Sequence, residues 1–236
     1  MERFGKLVKG LAKGGRPVDT RNPFHGNRGA SKRWLKGRLL AEGVSEAVTA
    51  AVMKVPREEF VSPEDRQWAY EDASMAIGSG QTISQPSLVG RMIDALRISP
   101  EHTVLDVGTG SGYQAAALSL LARRVVSVER VPELAESARQ RLARLGFSNI
   151  EVHAVGDELG WPAGAPYDGI IVGAAAPEVP QSLVEQLKVD GRLVIPVGAR
   201  EHQEVLLAHR TEDGYEIKRL EPVRFVPLIG KGAWEG

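Results

Sequence analysis

The run Val104-Leu105-Asp106-Val107-Gly108-Thr109-Gly110-Ser111-Gly112-Tyr113 passes from branched apolar residues through three glycines into a helix-length pattern. A strand that ends in glycines and turns into a helix leaves unpaired backbone N–H groups and a helix N-terminus beside whatever lies across the strand end. The run therefore marks a ligand-binding turn. Outward from it, short apolar strands alternate with amphipathic segments. Strands are expected at 103–107, 125–128, 150–155, 169–172, 193–197 and 204–209, and helices at 113–121, 132–145 and 182–187. This alternation predicts an α/β fold: a three-layer, doubly wound, mostly parallel sheet with both faces covered.

Upstream of the turn the pattern is helical from Ser31 to Val52, and Val55-Pro56 stops it, because proline disfavours helix in the residue before it. A Gly/Ser-rich loop is expected between Tyr70 and Gln85, then a helix from Pro86 to about Leu96. These segments form an N-terminal helical cap on the sheet. The first 30 residues hold six glycines and two prolines without a sustained apolar period, so a basic flexible arm is expected at 1–30 and a single domain at 31–236.

Charge follows the same division. The chain of 236 residues has 30 Lys+Arg and 30 Asp+Glu, but residues 1–38 carry 11 and 2 of these and the remainder 19 and 28, so the two parts are +9 and −9. The arm lacks interleaved aromatic residues and no RNA- or DNA-binding module follows it, so no nucleic-acid partner is expected. Zero cysteine excludes a disulfide scaffold, thiolate metal sites and a thiol nucleophile, and makes an oxidising compartment unnecessary. No apolar run approaches the roughly 20 residues of a membrane-spanning helix, and no secretory signal core precedes Ala30. A cytoplasmic monomer without a membrane partner is the expectation. His25, His102, His153, His202 and His209 have neither metal-ligand nor triad spacing, so no metal is expected.

Three features narrow the ligand of the turn. A dinucleotide fingerprint requires its third glycine at position 113, where this chain has Tyr113. Asp106 lies within the turn, where it would oppose a pyrophosphate and favour a cationic amino or sulfonium group. Glu129 closes the next strand, 17 residues after Gly112, where a carboxylate can accept both ribose hydroxyls. A ligand with a ribose, a positive end and no phosphate is S-adenosyl-L-methionine. The fold then reads as that of a Rossmann-like S-adenosylmethionine-dependent methyltransferase, with Gly108, Gly110 and Gly112 forming the turn. Asp157, beyond the third strand, is positioned to accept the adenine amino hydrogen.

The acceptor is less legible. The loop after the fourth strand, Gly173-Ala174-Ala175-Ala176-Pro177, offers neither a base nor an aromatic wall for an amine, which favours a nucleophile already charged at neutral pH, such as a carboxylate. The loop Ile77-Gly78-Ser79-Gly80-Gln81-Thr82-Ile83-Ser84-Gln85-Pro86 leads into a helix start that could seat an anion. As bare sequence, Thr82 and Ser84 read as helix caps before they read as catalysts.

From about Ser31 to Gly230 the chain resembles the protein-L-isoaspartate (D-aspartate) O-methyltransferase family. The matching stretches are Val55 to Val61, Ile77 to Pro86, Asp106 to Gln114, Ser127 to Arg130, Ala165 to Asp168 and Phe225 to Leu228, with Gly80-Gln81-Thr82-Ile83-Ser84-Gln85-Pro86 specific to that family. The resemblance implies that Ser84 is the active-site serine and that Thr82 and Ile83 lie beside the methionine end of the cofactor. It also implies methyl esterification of the free α-carboxylate of L-isoaspartyl residues, and to some extent D-aspartyl residues, in damaged proteins and peptides. The ester then leaves as a succinimide forms, returning part of the pool to normal aspartate. The alternative is an S-adenosylmethionine-dependent methyltransferase for another carboxylate or a small molecule. One departure stands out: Glu158 occupies a family glycine position in Gly156-Asp157-Glu158, which bears on the backbone angles there.

Overall fold

The computed structural model describes residues 10–11, 17–18 and 21–235. Most of the expected arm therefore lies outside the described residues, apart from a short ladder of β1 (Gly10–Leu11) with β2 (Pro17–Val18) and the segment from residue 21. That last segment is built into the domain. Asn22 is fully buried, and helix α1 begins at Arg28, so the domain boundary expected at Ser31 falls inside a helix.

The single helical pattern expected at 31–52 is two helices, α1 (Arg28–Ala41) and α2 (Glu46–Lys54). Gly43 explains the break. With φ +82° it adopts the left-handed conformation, its N–H bonds to the Leu40 carbonyl and that of Val44 to the Leu39 carbonyl, which turns Val44 back into the core. Ser45 then caps α2 through its hydroxyl, which accepts from the Val48 N–H. After 3₁₀ turns at Arg57–Glu59 and Pro63–Trp68, the Gly/Ser-rich stretch folds as a hairpin of β3 (Met75–Gly78) and β4 (Gln81–Ile83) rather than as a plain loop. Ser79 and Gly80 at its tip have φ +49° and +69°, as a twisted two-residue hairpin connection requires. Helix α3 (Pro86–Leu96) follows as expected.

The alternating part matches its reading closely: β5 (Thr103–Val107), α4 (Tyr113–Ser119), β6 (Arg124–Glu129), α5 (Pro132–Arg144), β7 (Ile150–Ala154), β8 (Tyr167–Val172) and α6 (Gln181–Val184). A meander of β9 (Leu187–Ala199), β10 (His202–Thr211) and β11 (Gly214–Val223) completes a seven-stranded sheet in the order β7-β6-β5-β8-β9-β10-β11. The five strands from β7 to β9 pair in parallel, while β10 and β11 add antiparallel pairings.

Alternate residues of each strand point to opposite faces. Val104, Val125, Ile171 and Val194 pack with α1 to α5, whereas Leu105, Val126, Ile170 and Leu193 pack with α6 and the irregular segments around Leu159 and Leu228. Both faces are covered, and the second layer is mostly loop. Among the described residues no helix is long and apolar enough to cross a membrane.

Candidate active site at the glycine turn

The chain leaves β5 outward toward β6 and β7, then returns to β8 on the other side of β5. Ligands bind at such a switch point, because connections on the two sides of β5 diverge and leave a crevice at the strand ends. Here the crevice has a floor of bare backbone. Gly108 and Gly173 approach so closely that a Cβ on Gly173 would lie 3.2 Å from the Gly108 carbonyl oxygen.

The end of β6 holds the turn in place. The N–H groups of Gly108 and Thr109 donate to the Val128 carbonyl at 2.9 and 3.1 Å. Glu129 accepts from Gly110 N–H at 2.8 Å on one oxygen and from Val131 N–H at 3.0 Å on the other. Glu129 thus holds the turn in place, and each of its oxygens retains a second lone pair. Beneath it, Asp106 is fully buried. Gln114 and Ser127 donate to its two oxygens, each at 2.7 Å, and the Thr109 hydroxyl lies 2.6 Å from that of Ser127. Burial, helped by the nearby Glu129 charge, outweighs the lowering hydrogen bonds from Gln114 and Ser127 and leaves the Asp106 carboxyl raised to about 6. A cation arriving above Asp106 would favour its ionised form.

Two adjoining cavities share Gly108. The larger, about 110 Å³, has Val107, Val128, Leu159 and Leu228 as apolar walls, with Arg130 and Glu158 at its rim. The smaller, about 40 Å³, is lined by Thr82, Ile83 and Ser84 on one side and by Gly110, Tyr113, Gln114 and Gly173 on the other. The β3–β4 hairpin reaches both, since Gln81 lines the larger cavity. The apolar slot suits a purine, and the glycine floor with Glu129 and buried Asp106 suits a ribose and a cationic end, so the residues present fit S-adenosylmethionine.

Ser84, Thr82, Ile83, Gly108 and Gly110 are thus brought together. Gly112 stands behind them at the start of α4, against Leu142 and Ala138 of α5. Asp106 and Glu129 lie outside both linings, and so does Asp157. Its exposed carboxylate is 3.6 Å from Arg130, while its backbone carbonyl accepts from Lys231 N–H at 2.8 Å, tying the C-terminal segment across the cavity mouth. Glu158 does not have a positive φ, so this turn accommodates a non-glycine residue.

The expected anion seat at the start of α3 is already filled by the protein. Asp72 accepts from Ser87 N–H at 2.9 Å and from the Ser87 hydroxyl at 2.7 Å, and pairs with Arg38 at 2.7 Å. Neither Thr82 nor Ser84 caps that helix, whose N-cap is Gln85. Gln114, Ser127 and Arg57 were not singled out from the sequence. A polar residue within the apolar strand Val125-Val126-Ser127-Val128 was the available signal for Ser127, which faces Asp106 in register.

Fold, glycine turn and switch-point crevice define a Rossmann-like methyltransferase that uses S-adenosylmethionine. A family model described as protein-L-isoaspartate(D-aspartate) O-methyltransferase matches residues 31–233. A protein-L-isoaspartate O-methyltransferase 2 of Nitrosococcus oceani is 50% identical over 204 residues, covering 86% of this chain and 91% of its own. A protein-L-isoaspartate O-methyltransferase of Methanoregula boonei is 46% identical over 205 residues, covering 86% and 94%. Among solved structures, a protein-L-isoaspartate O-methyltransferase superposes with TM-score 0.76 at 29% identity, covering 86% of this chain and 67% of that one. A homologous structure from Plasmodium falciparum, in complex with S-adenosyl-L-homocysteine, gives 0.70 at 25% identity, covering 83% and 96%. The chain belongs to the protein-L-isoaspartate(D-aspartate) O-methyltransferase family. It is an S-adenosylmethionine-dependent carboxyl methyltransferase acting on isoaspartyl residues of proteins.

Proposed function

We propose that the smaller cavity receives the free α-carboxylate of an L-isoaspartyl or D-aspartyl residue and that Ser84 aims it. The lining of that cavity carries this reading. It contains no His, Lys, Asp or Glu, and its one ionisable side chain, the Tyr113 phenol, is held above its ordinary pKa by burial. With no base to deprotonate an acceptor, the acceptor must arrive ionised, as a carboxylate does at neutral pH. Among the described residues, no protein group hydrogen-bonds to the Ser84 hydroxyl, which leaves it to the acceptor.

When bound, the cofactor supplies an electrophilic methyl on a sulfonium. The chain's own residues position and desolvate. Asp106 and Glu129 hold the cationic and ribose ends over the glycine floor, Thr82 and Ile83 border the methionine end, and Asp157 reaches the adenine edge after parting from Arg130. Holding both reactants in line accounts for up to about 7 to 11 kcal/mol of barrier lowering. Desolvation of the two reactants on closure favours a transition state in which carboxylate and sulfonium charges cancel. Ser84 orients and is not a nucleophile, since nothing in the lining could activate it. We place the enzyme in the cytoplasm, since a cysteine-free chain needs no oxidising compartment, and take it to act as a monomer.

Labelled methyl from the cofactor should become base-labile on an isoaspartyl peptide and not on its normal aspartyl isomer; equal labelling of both would overturn the reading. Ser84→Ala should lower kcat by about 10- to 100-fold, the worth of one hydrogen bond to a charged group, with cofactor affinity unchanged. Glu129→Ala should weaken cofactor binding, because it releases Gly110 N–H as well as the ribose.

A further inference from the structure

Arg57 is a buried cation that the roles above leave unused. It is fully inaccessible, and its side chain ties together three points of the segment that carries Ser84. Nε donates to the Ala69 carbonyl at 2.8 Å, and Nη2 donates to the carbonyls of Ala73 at 3.3 Å and of Ser84 itself at 2.8 Å. Its Cζ stands 4.6 Å from the centre of the Tyr113 ring, the ring that forms the opposite wall of the acceptor cavity. Nη1 is buried without a hydrogen-bond partner.

The charge lacks a counter-ion. Among the described residues Arg57 makes no ion pair, and the nearby buried carboxylate, Asp72, is already engaged by Arg38 and Ser87. Burial accordingly lowers the pKa of Arg57, although a guanidinium keeps its proton at neutral pH. Buried charges in proteins are ordinarily paired, and an unsatisfied buried donor calls for an explanation. The start of α3 is filled by Asp72, and the lining of the smaller cavity includes no Lys or Arg side chain.

We infer that Arg57 is a positioning residue for the acceptor: it fixes Ser84 through the Ser84 carbonyl, and its unneutralised charge behind Ser84 and Tyr113 draws the substrate carboxylate into the smaller cavity. This rests on the acceptor site proposed above. A single buried cation would make the cavity discriminate between an ionised acceptor and a neutral one of the same shape. A merely structural staple would not.

The test uses two peptides that differ at one residue, an isoaspartyl residue with its free α-carboxylate or with an α-carboxamide, binding to the full chain saturated with S-adenosyl-L-homocysteine. The wild type should prefer the carboxylate by about tenfold or more, the scale expected for one poorly screened charge several ångströms away. Arg57→Met should reduce that preference to near unity while affinity for S-adenosyl-L-homocysteine stays within about twofold. An undiminished preference in Arg57→Met overturns the inference. If Arg57→Met does not fold, salt decides with the wild type alone, because a buried cation is little screened. Preference that persists at about 0.5 M NaCl supports Arg57, and preference that vanishes assigns the effect to surface charges and overturns it. Failure of the wild type to methylate the carboxylate peptide at all would overturn the acceptor site, and this inference with it.

Discussion

At the scale of single residues, Asp106 shows how one side chain can serve stability and ligand binding in opposite senses. Its carboxyl, at about 6 against an ordinary 3.8, holds a proton more tightly in the folded chain than in the unfolded one. The stabilisation this represents is complete below about pH 4 and is lost as pH rises through about 6. Relative to Asp106→Asn, the wild type should therefore lose on the order of 3 kcal/mol between those limits. Urea unfolding of both proteins at several pH values tests this, and parallel stability curves would refute it. The ionised form is the one a cationic ligand prefers, so wild-type affinity for S-adenosylmethionine should strengthen over the same interval and that of Asp106→Asn should not. The type and position of Asp106 were legible in the sequence. Its engagement by Gln114 and Ser127 was not, because register between β5 and β6 and the first turn of α4 bring those partners in.

At the scale of elements, the connection from β5 to α4 depends on a backbone shape more than on any side chain. Gly112 has φ +89°, and a Cβ there would meet Leu142 of α5 at 3.2 Å. Gly112→Ala should cost about 1 to 2 kcal/mol for the left-handed conformation alone. The displacement would spread through the seven-residue α4 to Tyr113 and Gln114. We expect a lowered Tm and a smaller rise in Tm with S-adenosyl-L-homocysteine than the wild type shows; unchanged values for both would contradict this role. The elements that periodicity located best, β5 to β8 with α4 and α5, bury a defined face and so carry an apolar period. Those it missed, the β3–β4 hairpin and the edge strand β11, do not. Most β11 side chains are exposed, and that strand is held by its backbone ladder to β10, which leaves no mark on side-chain pattern.

At the scale of the whole molecule, a buried contact ahead of α1 helps to join the basic N-terminal part to the acidic remainder. Asn22 donates to both oxygens of Glu71 at 3.0 Å and to the Ser31 hydroxyl at 3.0 Å, and His25 lies 3.1 Å from Glu71. Glu71 adjoins Asp72, which caps α3 immediately after the Ser84 loop. Removing residues 1–20 should leave isoaspartyl methylation intact. Removing residues 1–26 leaves Glu71 buried without Asn22 and should lower Tm by about 5 °C, the effect of losing one to two kcal/mol in a chain of this size. Thermal unfolding and turnover of the two truncations compare these outcomes, and equal Tm values would show that the Asn22 contact contributes nothing.

From the order of its residues alone, this chain determined its layered α/β fold, the glycine turn, and the run from Gly80 to Pro86 that marks its family. These are local patterns, set by side-chain period and by backbone shapes that glycine permits. Tertiary structure alone decided that Asp72 fills the start of α3, that the buried Arg57 reaches from a 3₁₀ turn to the Ser84 carbonyl, and that the C-terminal segment ties down Asp157. Each joins residues distant along the chain, and hydrogen-bond and charge partners at such separation follow from packing rather than from period.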